Sequence, residues 1–215
     1  MREIIKSLFY ALPFPLKDYI QNKRRLKFRD KIISEWIAKG KPVPPPHALK
    51  QIVIEEFRKK FNYDILIETG TFQGDMVETQ RKNFKEIYSI ELSEKLFNEC
   101  KMRFSRFNHI NLLQGDSSDV LPVIMKKNSS PAIFWLDGHY SGGITAKGTK
   151  SCPIYEELNA VFSNGLNHVL LIDDARDFNG LNDYPALNEL EIFICKFKPS
   201  YSFEVKDNII RAYQK

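Results

Sequence analysis

The sequence predicts an α/β fold: a mostly parallel sheet that ends in a C-terminal antiparallel hairpin and follows an N-terminal helical segment. Three observations carry this. Short apolar runs alternate with amphipathic stretches from residue 64 onward, a glycine-bearing turn joins the first run to the stretch after it, and two adjacent strand-like runs end the chain with no room for a helix between them. Strand and helix in alternation indicate βαβ units and parallel pairing. Two strands joined by a tight turn pair antiparallel.

The first element is helical. Ile20, Leu26, Phe28, Ile32, Ile33, Trp36 and Ile37 recur at threes and fours among charges over residues 18–38. Residues 39–46 then hold one glycine and four prolines, a stiff extended linker that cannot continue a helix. This divides the chain into a segment 1–45 and an α/β domain 46–215. The domain opens on a helical stripe, Leu49, Ile52, Val53, Phe57 and Phe61, over residues 47–61. Strands follow at 64–68, 86–91, 109–113, 132–137 and 168–173, and helices at 75–84, 93–107, 118–127, 153–162 and 185–197. The terminal hairpin pairs 201–206 with 208–213.

Composition bounds the function classes. An apolar fraction of 43% and a charged fraction of 27% are those of a soluble globular protein and exclude a disordered or membrane-embedded chain. Cys100, Cys152 and Cys195 form no CxxC pair and read as reduced thiols. The apolar start, 4–16, is interrupted by Lys6, Pro13 and Pro15 and falls short of the roughly 20 residues a membrane span needs. No cleavage site follows it, so cytoplasmic residence is the expectation. Residues 1–60 carry fifteen Lys and Arg against six acids, so the net charge of +5 is concentrated at the N-terminus. Such a field attracts an anionic partner. A peripheral contact at the inner membrane surface is one use of it, a solvated helical face another, and Trp36 and Phe28 also suit packing within a homo-oligomer.

The first strand runs into Glu68-Thr69-Gly70-Thr71-Phe72-Gln73-Gly74 and then directly into a helix. Glycines there let the backbone bend tightly and approach a ligand. Glu91 ends the next strand about 20 residues on, the distance at which a carboxylate accepts from ribose hydroxyls. The third strand ends in Gln114-Gly115-Asp116-Ser117, where a carboxylate and a hydroxyl suit an adenine edge. Asp116, Ser117 and Ser118 also suit helix capping.

The succession ETGTFQG, SIEL, GDSS, WLDGHYSGG and LLIDDA resembles the Rossmann-like class I S-adenosylmethionine-dependent methyltransferases. More narrowly it resembles the macrocin O-methyltransferase-like group found with polysaccharide biosynthesis. The resemblance spans about residues 45–213. It implies that Glu68, Gly70 and Gly74, with Thr71 in the same loop, line the methionine end of the cofactor, that Glu91 binds the ribose, and that Asp116 and Ser117 contact the adenine. It further implies a small-molecule or glycan hydroxyl as acceptor. Phe72 departs from the commonest loop, which has a glycine there.

Asp137 ends the fourth strand and Asp173 with Asp174 the fifth, so a parallel sheet brings all three to one edge. Three hard oxygen donors suit Mg²⁺, and the placement resembles the metal-dependent O-methyltransferases of the catechol type. His139, two residues after Asp137, is the candidate general base, and Asp137 itself counts with the catalytic and cofactor-facing residues. Residues 138–152, with four glycines, read as a lid. Two other classes remain open. A nicotinamide-dependent oxidoreductase shares the glycine loop and ribose acid but needs no acids after both strands. A nucleic-acid methyltransferase would use the basic segment on phosphates, yet exocyclic-amine methyltransferases resemble one another in an Asn or Asp followed by two prolines, where this chain has Asp137-Gly138-His139-Tyr140.

Overall fold

The computed structural model describes residues 12–138 and 152–215. The chain divides into two compact units, Met1–Leu49 and Lys50–Lys215. Their boundary falls inside the second helix, four residues beyond the end of the proline-rich linker.

In the first unit, helix α1 spans Phe14–Ala38. It starts four residues earlier than its apolar spacing predicts, because Pro15 sits in the first turn, where a helix has no use for the missing N–H. After it the chain turns instead of running straight on. Gly40 and Lys41 take left-handed backbone angles (φ 79° and 58°), and the Trp36 indole N–H donates to the Pro42 carbonyl at 2.8 Å. No described helix is long and apolar enough to cross a membrane.

Helix α2 covers His47–Phe61, and most of it belongs to the second unit. From there β1 (Ile65–Thr69), α3 (Asp75–Gln80), β2 (Glu86–Glu91), α4 (Glu94–Phe104), β3 (Ile110–Gln114), α5 (Ser117–Lys127) and β4 (Ile133–Leu136) follow in strict alternation. Helix α6 (Ile154–Phe162), β5 (Val169–Ile172), a short 3-10 turn (Ala175–Asp177), α7 (Leu187–Phe197), β6 (Tyr201–Lys206) and β7 (Ile209–Gln214) complete it. Helix α3 is shorter than expected. The Asn83 backbone and side-chain amides both donate to Gln80, which closes the helix there.

The seven strands form one sheet in the order β3-β2-β1-β4-β5-β7-β6. β1 to β5 are parallel, whereas β7 pairs antiparallel with both β5 and β6. β4 (IFWL) and β5 (VLLI) are buried at every position, as strands covered on both faces must be. The hairpin turns through Asp207 and Asn208 (φ 52° and 61°), two residues that tolerate the left-handed region a tight hairpin needs. The chain moves outward from β1 to β2 and β3, then returns to β4 on the other side of β1. The strand order thus reverses at β1 and β4, and the carboxyl ends of these two strands form the switch point at which open α/β sheets bind ligands.

One buried histidine ties β4 to β5. His168 Nδ1 accepts from the Ala132 N–H at 3.1 Å, so its other nitrogen carries the proton and donates to Asn164 Oδ1 at 3.0 Å. Burial, with Lys198 adding, pulls its pKa down to about 4. The unfolded chain, near 6.5, takes up this proton first. The histidine's contribution is therefore complete above about pH 6.5 and lost as pH falls toward 4, by about 3 kcal/mol in all. Urea unfolding at pH 7 and pH 4.5 should show a smaller drop in His168→Gln than in wild type; identical drops would contradict this.

Candidate functional site

The crevice between β1 and β4 is built by a loop that only particular backbones can make. Gly70 follows β1 with φ 85°, and a Cβ there would lie 2.3 Å from the Asp137 carbonyl oxygen. Thr69 and Leu136 are register partners, so the two strands are still paired where their loops begin. The Asp137 N–H donates to both the backbone and side-chain oxygens of Thr69 at 3.2 Å, fastening one loop to the other. Gly74, also left-handed (φ 77°), caps α3 where a side chain would strike Phe104. Between the glycines, Phe72 has φ 50°: it adopts the glycine-like conformation of the residue it replaces.

Glu91 holds that conformation. Its Oε2 accepts from the Phe72 N–H at 2.7 Å and its Oε1 from the Ser93 N–H at 2.8 Å, and its side chain is buried. The carboxylate expected to meet ribose thus also clamps the glycine loop onto the end of β2. Glu68 lies beside it, likewise buried. Thr71 Oγ1 lies 2.6 Å from Ser89 Oγ, and Ser89 donates to Glu68 Oε2 at 2.5 Å. Since Ser89 has a single proton, Thr71 must donate to it, giving a chain of hydroxyls from loop to carboxyl. Burial pushes the Glu68 pKa up to about 8, opposed by the Ser89 hydrogen bond and reinforced by Asp137 and Glu91. Glu68 is therefore largely protonated at neutral pH and contributes polarity to the loop floor without a full charge.

At the end of β3 the Gly115 N–H donates to the Glu91 carbonyl, bringing the third strand end to the same edge. Asp116 caps α5: its Oδ1 accepts from the Ser118 N–H at 3.0 Å and the Ser118 hydroxyl at 2.8 Å. Ser117, expected to join Asp116 at adenine, is buried in the first turn of that helix.

The acids after β4 and β5 reach the expected edge but not the expected arrangement. Asp173 is fully buried and its Oδ2 forms an ion pair and hydrogen bond with Lys50 of α2. Burial works against the charge on Lys50, but Asp173, Asp137 and Asp174 outweigh it and raise its pKa. Asp174 turns away with φ 49°; its Oδ1 accepts from Asn208 Nδ2 at 3.0 Å and lies 3.4 Å from Arg176. Among the described residues no three His, Cys, Asp or Glu side chains are grouped to hold a metal ion. The set Asp137, Asp173 and Asp174 thus does not fit Mg²⁺: one acid is paired to an ammonium, and another is committed to the hairpin turn. His139 and nearly all of the proposed lid, 139–151, lie outside the described residues.

Three participants escape sequence reasoning. Ser89 carries a faint signal, as a hydroxyl in an apolar strand, and its meaning depends on its register opposite Glu68. Lys50 and Asn208 carry none, because each meets its aspartate only through the tertiary fold.

No protein-family model matches the sequence, and no curated protein matches it. Among solved structures, an O-methyltransferase of Bacillus cereus in complex with SAH is similar at 16% identity and TM-score 0.56, over 87% of this chain and 90% of that one. The O-methyltransferase TomG of Streptomyces achromogenes, in complex with SAM, is similar at 13% identity and TM-score 0.54, over 87% and 89%. The SAH-bound methyltransferase PaMTH1 of Podospora anserina is similar at 15% identity and TM-score 0.52, over 95% and 98%. At such identities the likeness is one of architecture. The chain has the Rossmann-like α/β fold of these methyltransferases.

Proposed function

We propose that the chain transfers the methyl group of S-adenosylmethionine to a hydroxyl oxygen of a small-molecule or glycan acceptor. The observation that carries this is the left-handed loop Gly70-Thr71-Phe72-Gln73-Gly74, clamped by Glu91 at the point where the sheet reverses direction. The likeness in fold to structures in complex with SAH and SAM supports this reading. In this reading Gly70 and Gly74 admit the methionine end, Thr71 and Glu68 line its floor, Glu91 accepts from the ribose, and Asp116 and Ser117 border the adenine.

The protein's part in the reaction is placement. An acceptor oxygen held about 3 Å from the sulfonium methyl and in line with its bond to sulfur needs little more than orientation and loss of its proton. Asp137, at the mouth of the crevice, orients the acceptor, and His139 takes the proton. The acceptor class follows the resemblance to the macrocin-like group. In the N-terminal unit, Phe14, Leu16, Tyr19 and Phe28 stand exposed near Lys23, Arg24 and Lys27, which suits contact with an anionic membrane surface.

Calorimetry of the full-length protein tests the cofactor. S-adenosylmethionine and S-adenosylhomocysteine are expected to bind one per chain, and NAD not at all. Binding of NAD without S-adenosylmethionine would replace this reading with that of an oxidoreductase.

A further inference from the structure

The acidic edge of the sheet carries its own cation. Lys50 stands in the first turns of α2, before the first strand, yet its ammonium lies on Oδ2 of Asp173, 123 positions away in sequence. The pair is enclosed: the Asp173 side chain is 0% exposed and that of Lys50 15%. The other carboxylate oxygen, Asp173 Oδ1, is buried with no hydrogen-bond partner among the described residues. The Asp173 N–H donates to the Leu136 carbonyl at 3.1 Å, which sets the next residue, Asp137, at the same edge of the sheet. Asp174 is shared between Arg176 and Asn208.

A divalent ion at this edge would need the oxygens of Asp173 and Asp137 together, with several waters. The ammonium stands on one of those oxygens. An incoming ion would meet a like charge at contact distance in a water-poor setting, where repulsion is weakly screened. Expelling Lys50 would in turn leave a buried ammonium or a long side chain to be rehoused.

We propose that Lys50 is the resident cation of this site, occupying the place among Asp137 and Asp173 that a divalent metal would otherwise take, so that the site is closed to such ions while Lys50 is present. This deepens the methyl-transfer reading and rests on it for its purpose: with its charge offset by Lys50, Asp173 opposes loss of a proton from the acceptor less than a bare carboxylate at this edge would. Lys50 is a positioning residue in this scheme. Its electrostatic effect needs no bound ion.

The test is Mn²⁺ binding to the full-length protein, followed by electron paramagnetic resonance and by melting curves. It needs neither methyl donor nor acceptor, so its failure and that of the methyltransferase reading are separable. Wild type and Lys50→Arg, which keeps the charge, are expected to show no site tighter than about 1 mM. Lys50→Met removes the charge from a buried pair and should lower the melting temperature, because Asp173 is left uncompensated. It should gain one Mn²⁺ site per chain, at least about tenfold tighter than any in wild type, and the added ion should restore part of the lost melting temperature. Adding Asp173→Asn to Lys50→Met should remove the gained site.

Two results overturn the proposal. One is a wild-type protein that binds one Mn²⁺ per chain and loses it in Asp173→Asn, which would mean that the acids ligate an ion despite Lys50. The other is a folded Lys50→Met protein that gains no site. Should Lys50→Met fail to fold, the comparison of wild type with Asp173→Asn still decides.

Discussion

Gly70→Ala is expected to abolish S-adenosylmethionine binding and to lower the melting temperature by about 10 °C. Two costs combine. A side chain at φ 85° strains the backbone by about 1–2 kcal/mol. The new Cβ also lies 2.3 Å from the Asp137 carbonyl oxygen, a main-chain atom that cannot rotate away. Separating the β1 and β4 loops to admit it costs another 1–3 kcal/mol, roughly, by analogy with overpacked cores. For a chain of this size each kcal/mol moves the midpoint by about 2–4 °C. Gly165→Ala is the control: φ is 72° there, but nothing lies within 4 Å of the added atom. It should show only the conformational part, a shift of about 3 °C, with cofactor affinity unchanged. Equal melting temperatures in the two variants, with cofactor binding kept in Gly70→Ala, would mean that the two loops do not meet as described.

Glu91→Ala should weaken both the fold and the cofactor site. The substitution strands two backbone amides at once, Phe72 N–H and Ser93 N–H, which now donate to separate oxygens of one buried carboxylate. A buried donor left unpaired costs about 1–3 kcal/mol, so a stability loss of about 3 kcal/mol is expected by urea unfolding. Phe72 is also freed to leave its left-handed conformation, which disorders the loop that would receive the cofactor. Affinity for S-adenosylmethionine, measured by calorimetry at a temperature where the variant is folded, should fall at least about tenfold. Glu91→Gln keeps one acceptor oxygen and should lose about half as much stability. A Glu91→Ala protein with wild-type affinity would remove this residue from the cofactor site.

Much of the architecture was readable from the residues. β4 and β5 are covered on both faces, so they show as short unbroken apolar runs, and their ends lie within one or two residues of expectation. The hairpin was readable from two adjacent strand-like runs with no room for a helix between them, although Asn208, counted with the second strand, belongs to the turn. Where local reading of the elements erred, it misjudged helix ends. The prolines that seemed to break the N-terminal run include one that starts α1, and α3 stops at Gln80 because Asn83 caps it from beyond.

The site was legible as a set of positions and not as a set of partners. Periodicity and the glycine spacing alone determined the parallel sheet, its terminal hairpin, and the strand ends that would bear Glu68, Glu91, Asp116, Asp137 and Asp173. These follow from interactions between near neighbours along the chain. The tertiary structure alone decided that Glu91 clamps Phe72, that Ser89 bridges Thr71 to Glu68, and that Asp173 faces Lys50. Each of these is an encounter between side chains brought together from different elements by the packing of the sheet. An aspartate at a strand end has the same local sequence whether its neighbour in space is a metal ion or an ammonium group. Only the fold sets which of the two charges arrives.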